Sequence, residues 1–259
     1  MMFIDAHLHL DPAVDGTAAG AAKELNRQLV DADIARAIVL HLETQPWTAL
    51  ETAKAIAPYS RLKGFVNVHP YRNESLSLLK EAVTEMGYIG LKLHPRLQMF
   101  EVDDSRTIAI VQEAGRLNMP VLIDAFPDGT HLMQGFAPVR YATLARECTE
   151  TNIIWAHMGG HFVIDFMMLA KRLPNVYMDI SYSLLYYRGS SVVDNLLYAM
   201  RSMRFDRIFY GSDYPDRSIK DSLDLSLKIL LEKGLTNEEL DKILSVNAIN
   251  FFKWTDLKK

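Results

Sequence analysis

Cysteine is nearly absent: the 259 residues contain one, Cys148. A disulfide within the chain and a zinc site built from several thiolates are therefore excluded. Long apolar runs are missing as well, and none approaches the ~18–20 residues of a membrane span. There is no dense basic run, and 28 Lys and Arg against 32 Asp and Glu leave a formal charge of −4. Nucleic acid is not an expected partner, because a phosphate backbone selects clustered positive charge. No Gly-rich dinucleotide fingerprint follows the first apolar run, and no low-complexity linker divides the chain. The opening MMFIDAHLHL places an acid and histidines where a secretory signal needs an apolar segment, which points to a cytoplasmic protein.

What is present is a globular composition, 49% hydrophobic and 23% charged, sufficient for a large core. Short β-rich apolar runs recur at Phe3 to Leu8, Ala37 to Leu42, Gly64 to Val68, Tyr88 to Leu93, Pro120 to Ala125, Asn152 to Ala156, Asn175 to Ile180 and Arg207 to Gly211. Helix-period segments lie between them, such as Glu74 to Met86 with Leu76, Leu79, Ala82 and Val83 on one face, and Asp104 to Leu117 with Ile108, Val111 and Ala114. Gly87, and Asn118 with Pro120, stand where these helices should stop. Thr236-Asn-Glu-Glu239 reads as a capping box that opens a further C-terminal helix. Eight βα units in one chain of this length predict an α/β protein, a single (β/α)8 TIM barrel over residues 1–259 with an extra C-terminal helix. An open doubly wound sheet is the competing architecture.

In such a barrel the chemistry sits at the C-terminal strand ends. Seven of the 8 histidines, His7, His9, His41, His69, His94, His157 and His161, fall at or just past a predicted strand end, and only His131 lies elsewhere. His7 and His9 share one face of the first strand at about 7 Å, a separation that lets two imidazoles bind one metal ion. An isolated His-x-His is equally well explained by one structural histidine and one at the rim. The last strand ends Gly211-Ser-Asp213-Tyr-Pro215, and barrel closure brings Asp213 to the same mouth. A turn in which Asp213 caps the next helix is the plainer alternative. Two distant ligand types at one rim favour the metal.

His157 is followed by Gly159 and Gly160, which suits a loop passing close to a ligand, and His157 reads as ligand or general base. On the fourth strand Leu91 and Leu93 can pack outward, so Lys92 and His94 should face the interior. A buried lysine costs several kcal/mol unless paired or functional. His41 and Glu43 at the end of the second run, and Asn67 and His69 at the end of the third, read as rim polar residues.

Taken together, Ile4-Asp-Ala-His-Leu-His9, Gly90-Leu-Lys-Leu-His-Pro95, Ala156-His-Met-Gly-Gly160, Asn175-Val-Tyr-Met-Asp-Ile-Ser181, Tyr210-Gly-Ser-Asp-Tyr-Pro215 and Asn247-Ala-Ile-Asn-Phe251 resemble the amidohydrolase superfamily. The resemblance is to its amidohydrolase-related branch of decarboxylases, hydratases and lactonases, and it runs nearly end to end. It implies metal ligation by His7, His9 and Asp213, and a base role for His157. The branch usually ends strand five with a ligating histidine. This chain has Asp124 there, which can still ligate through oxygen and would favour a harder metal. The implied cofactor is a divalent ion, zinc first and manganese second, held by His7, His9, Asp124 and Asp213. The implied reaction is hydrolysis of a small carboxylated ester, lactone or amide by a metal-activated water. In it Asp213 and His157 would be catalytic, and Lys92, His94 and Arg96 would hold the substrate. A non-oxidative decarboxylase on the same platform is the first alternative, and a non-catalytic ligand-binding barrel the second. The expected partner is a small-molecule substrate, with no nucleic acid and no membrane, and a homo-oligomer is left open. The loops Phe126 to Phe136 and Tyr182 to Ser191 are expected to wall the pocket.

Overall fold

A computed structural model describes residues 2–257. Eight strands lie parallel in sequence order: β1 (Phe3–Leu8), β2 (Ile34–Leu40), β3 (Leu62–Asn67), β4 (Gly90–Leu93), β5 (Val121–Ile123), β6 (Ile153–Trp155), β7 (Val176–Asp179) and β8 (Ile208–Phe209). Helices alternate with them, and the sheet curls into a nearly closed (β/α)8 barrel. The seam between β8 and β1 is held by single backbone bonds. Ala6 N–H donates to Tyr210 O at 2.9 Å, Asp213 N–H to His7 O at 2.8 Å, and His9 N–H to Tyr214 O at 2.8 Å. These bonds bring the His-x-His segment and Asp213 together.

Two faces of the sheet are buried in two different ways. Outward residues such as Leu91, Leu93, Val121 and Trp155 pack on the helices in the larger apolar cluster. Inward residues Ile4, Ala6, Ile38, Leu40, Phe65, Leu122, Ile154, Ala156 and Phe209 fill the barrel, with Ala248, Ile249 and Trp254 of the C-terminal segment at its base. Along β1 the alternation changes phase. Ile4 and Ala6 belong to the inner cluster, whereas Leu8 and Leu10 pack outward. The β1–β2 register shifts between Asp5 and Leu8, and such a bulge re-aims the side chains that follow it, here His7 and His9.

The expected helices at Glu74 to Met86 and Asp104 to Leu117 are observed at Ser75–Thr84 and Ser105–Arg116. The capping box at Thr236 is formed with Glu239, opening a continuous helical run from Asn237 to Phe251 that includes one π turn. β2 begins three residues before the apolar run does. Arg36 interrupts the pattern, because its guanidinium leaves the barrel to sit 5.0 Å over the Trp254 ring and to pair with Asp256. β8 is shorter than its apolar run because Tyr210 onward bonds to β1 singly and not as a ladder. No helix among the described residues is long and apolar enough to cross a membrane.

Candidate active site

The C-terminal mouth of the barrel opens into a cavity of about 370 Å³, within the usual range for small-molecule sites. His7, His9, Lys92, His94, Arg96, Asp124, His157 and Asp213 all line it, so every residue singled out from the sequence as ligand, catalyst or anchor meets in one place. His41, His69, His131 and His161 do not line it. His41 is instead tied to Trp47 O and Asn67 N, His131 to Phe126 O, and His161 to the Tyr187 hydroxyl.

His7 Nε2 lies 3.2 Å and His9 Nε2 3.7 Å from Asp213 Oδ1. Their other ring nitrogens are engaged elsewhere: His7 Nδ1 with Asp179 Oδ2 at 2.9 Å, and His9 Nδ1 with Leu40 O at 2.8 Å. A carbonyl and a carboxylate accept at the two Nδ1 positions, so both rings turn Nε2 toward Asp213. A cation bonded tetrahedrally at about 2.0–2.1 Å needs donor atoms roughly 3.3–3.4 Å apart, close to what is seen. The donor set of two imidazoles, each with an oriented outer partner, and one carboxylate fits a divalent ion. Electrostatics agree. Burial and nearby Lys92 pull the His7 pKa down, but Asp179 and Asp213 outweigh them and raise it to about 9. The site thus favours positive charge at this point. Burial raises the Asp213 pKa, yet the two histidines hold it well below the ordinary carboxylate range.

Gly211 makes this approach possible. A Cβ there would stand 2.6 Å from His7 Cβ and 3.0 Å from Ser181 Cβ, distances that only glycine avoids. Gly159 has a comparable task beyond β6. The backbone from His157 to Gly160 runs at positive φ throughout, and a Cβ on Gly159 would strike the Phe166 ring. That turn swings His157 across the mouth, where Nδ1 donates to Ser181 O at 3.0 Å.

Asp124 is fully buried. Its Oδ1 lies 3.2 Å from His157 Nε2, and its Oδ2 3.6 Å from His94 Nδ1 and 4.0 Å from Arg96 Nε. It is not among the donor atoms gathered with His7, His9 and Asp213. Burial works against its ionisation, but His94, His157 and Lys92 keep its pKa well below the usual value. The His94 pKa is driven down to about 3, because burial and the charges of Lys92 and Arg96 outweigh Asp124.

Lys92 is 1% exposed, yet no carboxylate among the described residues lies within ion-pair distance of its Nζ, and no hydrogen bond occupies it. The salt bridge to Asp124 or Glu43 that could have explained this lysine structurally is absent. Glu43 is instead bonded to Arg72 and Gln98.

Several residues of the site carry no role in the sequence reading. Asp179 stands in the quoted β7 motif, and its inward parity with Tyr177 was the available signal. Ser181 Oγ touches both His7 Nδ1 and His157 Nδ1. Phe126, Tyr182 and Tyr186 form the aromatic wall, as the loop composition suggested, with Tyr182 stacked on Tyr186 and Phe126 edge-on to both.

A model of the amidohydrolase family matches residues 4–254. The chain belongs to the amidohydrolase family. No curated protein matches it in a sequence search. Among solved structures, it is similar to a probable 2-pyrone-4,6-dicarboxylic acid hydrolase from Acinetobacter baumannii with citric acid bound, at 17% identity and TM-score 0.72, covering 98% of this chain and 100% of that one. It is also similar to 2,6-dihydroxybenzoate decarboxylase from Rhizobium, at 17% identity and TM-score 0.67, covering 98% and 99%. A third is an amidohydrolase from Burkholderia multivorans with bound zinc, at 16% identity and TM-score 0.68, covering 98% and 99%. At these identities the likeness speaks for the fold. At its mouth this amidohydrolase-family barrel gathers two histidine nitrogens and an aspartate oxygen, a set able to hold a metal ion.

Proposed function

We propose that the chain is a metal-dependent hydrolase of small carboxylated esters, lactones or amides. The observation that carries this reading is the pair of free Nε2 atoms of His7 and His9 set around Asp213 Oδ1, in one cavity with the unpartnered amine of Lys92. His7, His9 and Asp213 would hold the ion, with zinc the best match to their chemistry. A divalent cation there supplies Lewis acidity, acidifying water and polarising a carbonyl.

The remaining steps belong to the protein. Asp213 has a second oxygen, Oδ2, outside the histidine contacts, and it takes the proton of the attacking water and passes it to the leaving group. His157 is held at Nδ1 by Ser181 O and lies with Nε2 3.2 Å from Asp124 Oδ1 at the edge of the reacting centre, where a proton on Nε2 stabilises the developing oxyanion. Asp124 is assigned to His157 and not to the ion, because its Oδ1 sits 3.2 Å from that Nε2. Lys92 binds the substrate carboxylate, and His94 and Arg96 border the same side. Phe126, Tyr182 and Tyr186 bury the body of the substrate and exclude water.

The experiment is a panel of carboxylated lactones, esters and amides offered to metal-loaded protein, with acid formation and CO₂ followed together. Hydrolysis without CO₂ is the expected result. CO₂ release without consumption of water moves the chain to the decarboxylases, whose fold it shares. Stoichiometric metal with neither product, across the panel, supports a binding protein.

A further inference from the structure

Two cations line the cavity, and the structure treats them differently. Lys92 Nζ has no hydrogen-bond or ion-pair partner among the described residues. Arg96 is not: its Nη1 donates to Asp128 Oδ2 at 2.7 Å, and its Nε lies 4.0 Å from Asp124 Oδ2. Asp128 is itself fixed. Its Oδ1 accepts from His131 N–H at 2.8 Å as the N-cap of the short helix Gly129–Met133, which directs Oδ2 at the guanidinium. Asp216 adds a further carboxylate to the lining.

We infer that Asp128 is a specificity-determining residue: by neutralising Arg96 it makes the cavity select a substrate with one carboxylate over a substrate with two. The inference rests on the proposed anchoring role of Lys92. A first carboxylate meets the single uncompensated cation. A second one, reaching toward Arg96, meets a guanidinium already matched by Asp124 and Asp128, with two acidic groups at close range in a partly desolvated mouth. Like charges placed against the wrong ligand are a common source of discrimination, and here the repulsive element is built into a helix cap.

The aromatic wall of Phe126, Tyr182 and Tyr186 suits a flat ring, so benzoate and isophthalate are suitable probes. They differ by one carboxylate on the same frame. Calorimetric titration of metal-loaded wild-type protein should give benzoate roughly tenfold or greater preference over isophthalate. Asp128→Asn retains an oxygen for the His131 cap and removes the charge. It should narrow or reverse that ratio about tenfold, chiefly through tighter isophthalate binding, with benzoate changed less than about threefold. Asp128→Ser, which also caps, should behave alike and separates charge from any defect of the asparagine variant. An unchanged ratio in both variants, or a wild-type preference for isophthalate, overturns the inference.

Lys92→Met tells the two levels apart. If it abolishes benzoate binding while the Asp128 variants leave the ratio unchanged, the anchor stands and the inference falls. If it leaves benzoate binding intact, the anchoring reading itself fails, and wild-type protein that binds neither probe overturns both.

Discussion

His7 donates its Nδ1 proton to Asp179 Oδ2 at 2.9 Å, both side chains being wholly buried. The bond fixes which nitrogen of His7 is free. With Nδ1 engaged, Nε2 is the nitrogen that faces Asp213 and the space beside His9. Asp179 Oδ1 also accepts the backbone N–H groups of His157 and Ser181, so one carboxylate orients the His7 ring and holds the backbone at His157.

Replacing that carboxylate by its amide should loosen the metal without dismantling the barrel. Asp179→Asn is expected to weaken zinc affinity by about 10–100-fold, the usual effect of losing an outer-sphere partner. Competition with a chromophoric chelator measures it. Wild-type affinity in the variant would show that His7 needs no orienting.

In the proposed mechanism His157 acts on the substrate and not on the ion. His157→Asn should retain its metal and its melting temperature, while kcat falls by roughly 10²–10⁴-fold. Metal loss parallel to the loss of activity would move His157 into the ligand set.

Lys92→Met should raise KM for carboxylated substrates and leave their neutral analogues nearly unchanged, because it removes binding of one charge. Steady-state kinetics on matched acid and amide pairs decide it. Equal losses on both members would make Lys92 a general structural element.

Asp5 offers a pH test of stability. Burial pushes its carboxyl up to about 6, against the bonds that Ser212 and His7 give it. The folded state therefore binds this proton more tightly than the unfolded chain. The group costs nothing below about pH 4, and its penalty grows as pH rises, reaching about 3 kcal/mol above pH 6. Asn at this position keeps an acceptor for the His7 and Ser212 N–H groups and carries no charge. The stability of Asp5→Asn relative to wild type, from denaturant unfolding, should rise between pH 4.5 and pH 7. A difference independent of pH contradicts the buried-charge account.

Much of the candidate site was legible because the proposed ligands and anchor stand at strand ends, where alternation dictates direction. His7, His9, Lys92 and Asp213 follow from the run boundaries alone. What alternation cannot give is a change of phase, such as the bulge in β1 that sends Ala6 and His7 to the same side. Nor does it give contacts between loops. Asp124 reads from the sequence as a further metal ligand until the turn beyond β6 is seen to bring His157 to it. The Arg96–Asp128 pair is invisible for the same reason, since it joins the β4 and β5 loops.

Metal content tests the central claim most directly. Protein purified without chelator or metal-affinity resin should carry about one zinc per chain by elemental analysis, and a folded His7→Ala/His9→Ala variant should carry almost none. Full occupancy in that double variant, or a metal-free wild type that turns over substrate at full rate, would contradict the account.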